Sequence, residues 1–216
     1  MTGDAVADAV ADIRSRIAAA AVRAGRDPAS ITLVAATKTV PTEQVAAAVA
    51  AGVVDVGENR AQELTAKAPA LEGTAARWHF LGQLQRNKVR ALAPWVVCWQ
   101  SVDRADLGTE IARRAPGARV LIEVNLAGEP AKGGCRPPDA ASLADALRAD
   151  GLDVAGLMAV PPAGDEPGPW FAHLRDLAAA LELPELSMGM SGDFEVAVEE
   201  GATMVRVGRA LFGPRA

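Results

Sequence analysis

Apolar positions along this chain fall into two alternating rhythms. Val6, Val10, Ile13 and Ile17 recur every three or four residues, which predicts an amphipathic helix over about 4–24 with Gly25 as its stop. Eight short apolar runs follow, at 31–36, 54–57, 78–81, 96–101, 120–125, 154–160, 185–189 and 204–208, and they read as strands. Segments of helical spacing lie between them. Pro41 suits a first helical turn and Gly52 the stop of that helix, while Asp103 and Asp193 are expected as N-caps. The Pro/Gly-rich stretch 161–169 reads as a loop, too short to separate domains. Strand–helix alternation of this kind predicts a parallel α/β fold. Eight strands either close a barrel or form an open doubly wound sheet. The count favours a single (β/α)8 TIM barrel over 1–216 with an extra N-terminal helix, and no G-x-G-x-x-G follows the first strand to argue for the open sheet.

Composition narrows the function more than the fold. Half of the residues are hydrophobic and 23% charged, the balance of an ordinary globular domain. The net charge of −5 and the lack of a basic stripe speak against a nucleic-acid partner. The pair Arg113 and Arg114 and the cluster Arg86, Lys88 and Arg90 read as solvated helix faces. No run approaches the roughly 18 apolar residues of a membrane span, and the start MTGDAVADAV lacks the cationic and apolar regions of a signal peptide. A cytoplasmic location is expected, with no membrane partner. Cys98 and Cys135 have neither metal-ligand spacing nor a disulfide framework, so no metal is expected, and Cys98 reads as a core residue.

Candidate chemistry lies where the apolar runs give out. In a βα barrel the site forms at the C-terminal strand ends, and those ends supply Lys38, Asn59, His79, Ser101, Asn125, Met158, Ser191 and Arg206. Of the 22 basic residues only Lys38, Lys67, Lys88 and Lys132 are lysine. Lys38 closes the first strand, either as a lysine snorkelling into water or as an amine poised to condense with a carbonyl. The last two strands turn sharply at Ser191-Gly192 and at Gly208-Arg209 into helical segments, an arrangement that offers N–H groups to a phosphate. Gly208 would let the backbone approach such a ligand closely. A carbonyl-seeking lysine facing a phosphate cradle points to a phosphorylated aldehyde. Pyridoxal phosphate and a sugar phosphate on a Schiff-base aldolase both fit.

The same residues sit in blocks that carry a resemblance. VAATKT (34–39), VGENRAQE (56–63), WHFLGQLQRNK (78–88), SVD (101–103), EVNLAGEPAKGG (123–134), GLMAV (156–160), SMGMSGDFEVAVEEGATMVRVG (187–208) and ALFG (210–213) follow one another in family order. In them the chain closely resembles the pyridoxal phosphate homeostasis protein family, relatives of the alanine racemase barrel domain. The resemblance implies pyridoxal 5′-phosphate as cofactor, held as a Schiff base on Lys38. It implies that Ser191 and the backbone of Gly208 and Arg209 hold the phosphate, and that Arg206 faces the pyridine nitrogen. Asn59, His79 and Met158 would wall the cofactor. Arg209 departs from the small residue many relatives carry, and the compact proline-rich loop after the sixth strand leaves the ligand's access route open.

The implied function is a monomer that buffers pyridoxal phosphate or delivers it to dependent apo-enzymes, with little or no turnover and no assigned catalytic residue. The alternative is a low-activity amino-acid racemase. Two-base racemisation of the alanine racemase type needs a tyrosine from a partner's second domain, and this sequence contains no tyrosine and no length for that domain. His79 remains as a lone base for weak activity. Lys132, in a Gly-rich loop after the fifth strand, is either solvated or a second, weaker cofactor contact.

Overall fold

In the computed structural model, described over residues 1–213, eight parallel strands close on themselves in sequence order. They are β1 (Thr32–Ala36), β2 (Asp55–Glu58), β3 (Arg77–Phe80), β4 (Val96–Val102), β5 (Arg119–Glu123), β6 (Asp153–Met158), β7 (Glu185–Ser187) and β8 (Met204–Val207). Closure comes from β1 on β8, with Thr32 opposite Met204 and Ala35 opposite Val207. The barrel expected from the strand count therefore forms. Strand ends shift by a residue or two; β5, β6 and β7 each stop two residues early, β7 at Ser187 ahead of Gly189, which turns at φ +88, a backbone conformation outside the β region.

Helices alternate with the strands: α2 (Thr42–Ala50), α3 (Ala61–Lys67), α4 (Arg86–Leu92), α5 (Ala105–Arg114), α6 (Ala140–Ala149), α7 (Pro167–Ala180), α8 (Phe194–Glu199) and α9 (Arg209–Phe212). The opening helix, α1 (Gly3–Arg23), buries Val6, Val10, Ile13 and Ile17 as their spacing predicts. It packs among α2, α8 and α9. With only four residues, α9 is too short to cover its side of the barrel, and α1 fills that place in the outer ring. Each fully buried Val or Ile is worth roughly 1.5–3 kcal/mol. Arg16 adds a two-pronged bond to Glu195 at 3.1 and 3.0 Å and stacks 4.7 Å from the Phe194 ring centre.

Two local expectations need correction, and a third holds by position but not by its hydrogen bond. Arg104, not Asp103, occupies the N-cap of α5. The Asp103 carboxylate is taken up by Arg104 Nη1 at 2.6 Å and by the Gly134 N–H at 3.5 Å. Asp193 does stand at the N-cap of α8, but its Oδ1 accepts the Met190 N–H of the preceding turn at 2.5 Å rather than a first-turn N–H. The loop expected over 161–169 ends earlier, because Pro167 and Pro169 begin α7. First-turn N–H groups have no helical partner, so proline is tolerated there.

Two materials fill the barrel. Val34, Cys98, Leu121, Ala155, Met158 and Met204 form an apolar plug. Buried polar groups accompany it: Asp55, His79, Gln100, Ser187 and Arg206. Cys98 is thus the core residue that its apolar surroundings predict.

Candidate functional site

Strand alternation carries β1 into the mouth. Val34 faces the interior plug, so Ala36 and Lys38 continue on that side. Both line a cavity of about 480 Å³, together with Thr39, Gln44, Ser191, Arg206, Gly208 and Arg209. Half-buried Lys38 and the turn after β7 thus meet across one opening, although 153 positions separate Lys38 from Ser191.

A charged clamp, buried at Glu58 and Lys67, grips the chain on both sides of Lys38. Before it, the Thr37 hydroxyl donates to Glu58 Oε1 at 2.7 Å, and the Thr37 carbonyl accepts Lys67 Nζ at 2.8 Å. After it, the Thr39 N–H donates to Glu63 Oε2 at 2.7 Å. Lys67 closes the cluster at 2.6 Å from Glu58 and 3.2 Å from Glu63. Thr39 stands at φ +63, uncommon for a non-glycine residue, and the clamp holds it there. Burial pushes the Glu58 carboxyl upward against the hydrogen bonds from Lys67 and Thr37. Glu63 is also raised by burial, but the Thr39 N–H and Lys67 outweigh that and leave it below the usual range. Sequence reasoning missed this clamp. Its one visible trace was the i,i+4 pair Glu63 and Lys67 on α3.

The opposite wall is built from neutral donors and the cations Arg206 and Arg209. Gly189 is required at the turn, since besides its φ of +88 an added Cβ would lie 2.5 Å from Ala197 Cβ. Beyond the turn, Ser191 Oγ accepts the N–H groups of Gly208 at 3.3 Å and Ala210 at 3.2 Å, which draws three donors together at the start of α9. Gly208 has a reason of its own to lack a side chain, because a Cβ there would sit 2.8 Å from the Ala36 carbonyl of β1. Below them Arg206 Nη1 donates to Ser187 Oγ at 2.6 Å and Nη2 to the Ala159 carbonyl at 2.9 Å. Burial brings the Arg206 guanidinium down to about 10, against the pull of Glu123 and Asp193, so it stays charged at neutral pH.

The remaining sequence candidates lie apart from this cavity. Asn59 lines a neighbouring polar cavity of about 580 Å³ with Arg60, Gln83, Lys88 and Arg104. His79 is buried within the barrel between Asp55 and Gln100, and Met158 belongs to the apolar plug. Ser101 donates to the Gly82 carbonyl at 2.6 Å, and Asn125 ties the loop after β5 through Glu129. Lys132 bridges two loops, with its Nζ 3.0 Å from the Pro161 carbonyl and 2.6 Å from Glu129. Glu123, hidden in the apolar run of β5, went unnoticed in the sequence. Its Oε2 is buried without a partner, and burial first, then Asp103, push the carboxyl up to about 7.

The donor set suits a phosphorylated aldehyde. An amine, a guanidinium, a hydroxyl and backbone N–H groups surround one opening, while Asp193, the acidic residue lining it, is turned to the Met190 N–H. Among the described residues no group of three or more His, Cys, Asp or Glu side chains is arranged to hold a metal ion.

Known proteins resemble the chain over nearly its whole length. The family "Alanine racemase, N-terminal domain" matches residues 10–216. A pyridoxal phosphate homeostasis protein of Aquifex aeolicus is 44% identical, with 94% of this chain and 95% of that one aligned. The protein of the same name from Pseudomonas aeruginosa is 42% identical over 97% and 96%. Among solved structures, PipY of Synechococcus elongatus with PLP bound superposes with a TM-score of 0.85 at 34% identity, covering 96% of this chain and 100% of that one.

Proposed function

The chain belongs to the pyridoxal phosphate homeostasis proteins of the alanine racemase N-terminal domain family, and from that premise we propose that it binds pyridoxal 5′-phosphate through 1–216 as one domain and helps to keep its supply. The cofactor is held as a Schiff base on Lys38. One observation carries this reading: Lys38 lines a single cavity together with Ser191, Gly208 and Arg209 of the turns after β7 and β8. When bound, the cofactor supplies an aldehyde to amines and an electron-withdrawing ring to whatever they carry.

Each residue then has a task. Lys38 would supply the amine that condenses with the cofactor's aldehyde, with loss of one water. Ser191 and the backbone of Gly208 and Arg209 would take the phosphate by charge-assisted hydrogen bonds. Arg206 would face the pyridine nitrogen as a donor only, so that nitrogen would stay unprotonated and the ring would be a weak electron sink. The product of this arrangement is a holder that buffers or delivers the cofactor to dependent apo-enzymes with little turnover. Of the walls implied by resemblance, none lines this cavity: Asn59 lines a separate one, and His79 and Met158 are buried inside the barrel.

Absorbance tests the reading directly. Pyridoxal phosphate added to the protein should produce a visible Schiff-base band that Lys38→Ala abolishes, whereas an aldolase using Lys38 on a sugar phosphate would stay colourless. The racemase alternative is tested by α-proton exchange of alanine in deuterated water with cofactor-saturated protein. Exchange close to that of free pyridoxal phosphate is expected, and rates in the enzyme range of ~1–10³ s⁻¹ would replace the holder with a racemase.

A further inference from the structure

Five strands contribute to a line of hydrogen bonds that crosses the barrel interior, and its proton positions follow from its ends. At the mouth, Arg206 Nη1 lies 2.6 Å from Ser187 Oγ. A guanidinium has donors only, so the serine oxygen accepts, and its own O–H goes to Gln100 Oε1 at 2.6 Å. With that oxygen used, the Gln100 Nε2 group is what faces His79 Nδ1 at 2.8 Å. An amide nitrogen donates, so Nδ1 is a bare acceptor and the ring proton sits on Nε2. From there it reaches Asp55 Oδ1 at 2.9 Å. The other Asp55 oxygen takes Arg77 Nη2 at 2.6 Å, at the exposed foot of the barrel. Burial raises the Asp55 carboxyl, but the bonds from His79 and Arg77 more than offset that and hold it below its usual range. From Arg206 to Asp55 every link donates in the same direction, and Arg77 donates into Asp55 from the other end.

Resting on the cofactor reading above, we propose that Asp55, His79, Gln100 and Ser187 form a proton-ordered chain that sets the orientation of Arg206 toward its ligand. His79 is thereby a positioning residue, its Nδ1 accepting from Gln100 and its Nε2–H donating to Asp55, and not a proton-transfer group. Two physical points carry this beyond packing. A buried polar line costs more than the apolar plug beside it unless every member is satisfied, and here every link is made. The line also ends on the one of its members that lines the cavity. Removing an inner link frees the Ser187 hydroxyl to rotate, and Arg206 loses a defined acceptor while keeping the Ala159 carbonyl. The charges facing Arg206 from neighbouring elements are Glu123 on β5 and Asp193 at the start of α8, and neither belongs to the chain.

Gln100 is the place to cut it. Gln100→Leu should fold, bind pyridoxal phosphate about tenfold or more weakly, the loss expected when a hydrogen bond to a charged group goes slack, and shift the bound cofactor's absorbance band. Gln100→Glu should recover most of the affinity. Its carboxylate still accepts from Ser187 but can only accept from His79, which must then carry protons on both ring nitrogens. Leu121→Met, a volume-conserving change in the same interior, should leave affinity and band as in the wild type. Nitrogen-15 NMR of His79 reads the tautomer without any cofactor. A proton on Nδ1 in the wild type overturns the chain, even if the leucine variant fails to fold. Wild-type affinity and band in Gln100→Leu overturn the positioning role. A wild-type protein that takes up no pyridoxal phosphate at all would instead sink the cofactor reading, and the tautomer measurement would still stand on its own.

Discussion

The two walls of the cavity are held by opposite means. On the β1–β2 side, Lys38 is flanked by residues locked to Glu58, Glu63 and Lys67, a compact cluster of charges with Glu58 fully buried. On the β7–β8 side, Arg206 and Ser191 are held by neutral partners: a serine, a glutamine, a carbonyl and backbone N–H groups. A charged clamp is stiff and fails abruptly, because removing one member leaves another charge buried and alone. Links through neutral groups fail by degrees, since each contributes about 1 kcal/mol net and about 1.5–3 kcal/mol where it ends on a charge. The amine that forms the covalent bond thus sits on the wall that tolerates no loosening. The anion rests on the wall that can yield.

The largest effect should come from breaking the clamp. Lys67→Met should destabilise the protein by ~3–5 kcal/mol, the usual loss when one partner of a buried pair is removed, read by urea unfolding without cofactor. Adding Glu58→Gln to it should recover some of that loss. If the single change costs under ~1 kcal/mol, the clamp is not what holds this wall.

Glu123 sharpens the contrast, as a buried carboxyl that neither wall partners. Its folded-state pKa is raised to about 7 from a usual value near 4.5, so the unfolded chain releases its proton first. Stability from this group is complete below about pH 4.5 and falls as pH rises to about 7, by on the order of 3 kcal/mol at 1.36 kcal/mol per pH unit. Unfolding of the cofactor-free protein across that window should show this decline in the wild type and lack it in Glu123→Gln. Parallel pH profiles would mean that Glu123 is solvated.

The smallest effect belongs to the yielding wall. Ser191→Ala should weaken pyridoxal phosphate binding by ~1–3 kcal/mol, as for one hydrogen bond to a charged group. The melting temperature without cofactor should move by only a few degrees, because the bonds it loses in the protein are long, at 3.2 and 3.3 Å. Unchanged affinity in titration would place the phosphate elsewhere.

What could be read in the sequence follows the same division. The strand-end rule of βα barrels brought out Lys38, Ser191 and Arg206, because each follows or ends an apolar run and the fold sends such residues to one mouth. Gly208 was legible as a glycine that must stay bare, although the β1 carbonyl supplies the reason. The clamp was hidden, since Glu58 and Lys67 lie nine positions apart on a strand and a helix whose relative placement no spacing encodes. His79 was visible as a strand residue, but its partners Asp55 and Gln100 lie 24 and 21 positions away on adjacent strands. Strand register decides that meeting. Asp103 misled because an acidic residue before a helix reads as a cap, while the neighbouring Arg104 and the Gly134 N–H compete for its carboxylate.

Borohydride reduction of the cofactor-loaded protein tests the central claim most directly, because it fixes the Schiff base where it stands. Reduction followed by peptide mapping should place the pyridoxyl group on Lys38, with Lys67, Lys88 and Lys132 unmodified. Label on any of those three with Lys38 untouched would contradict the account.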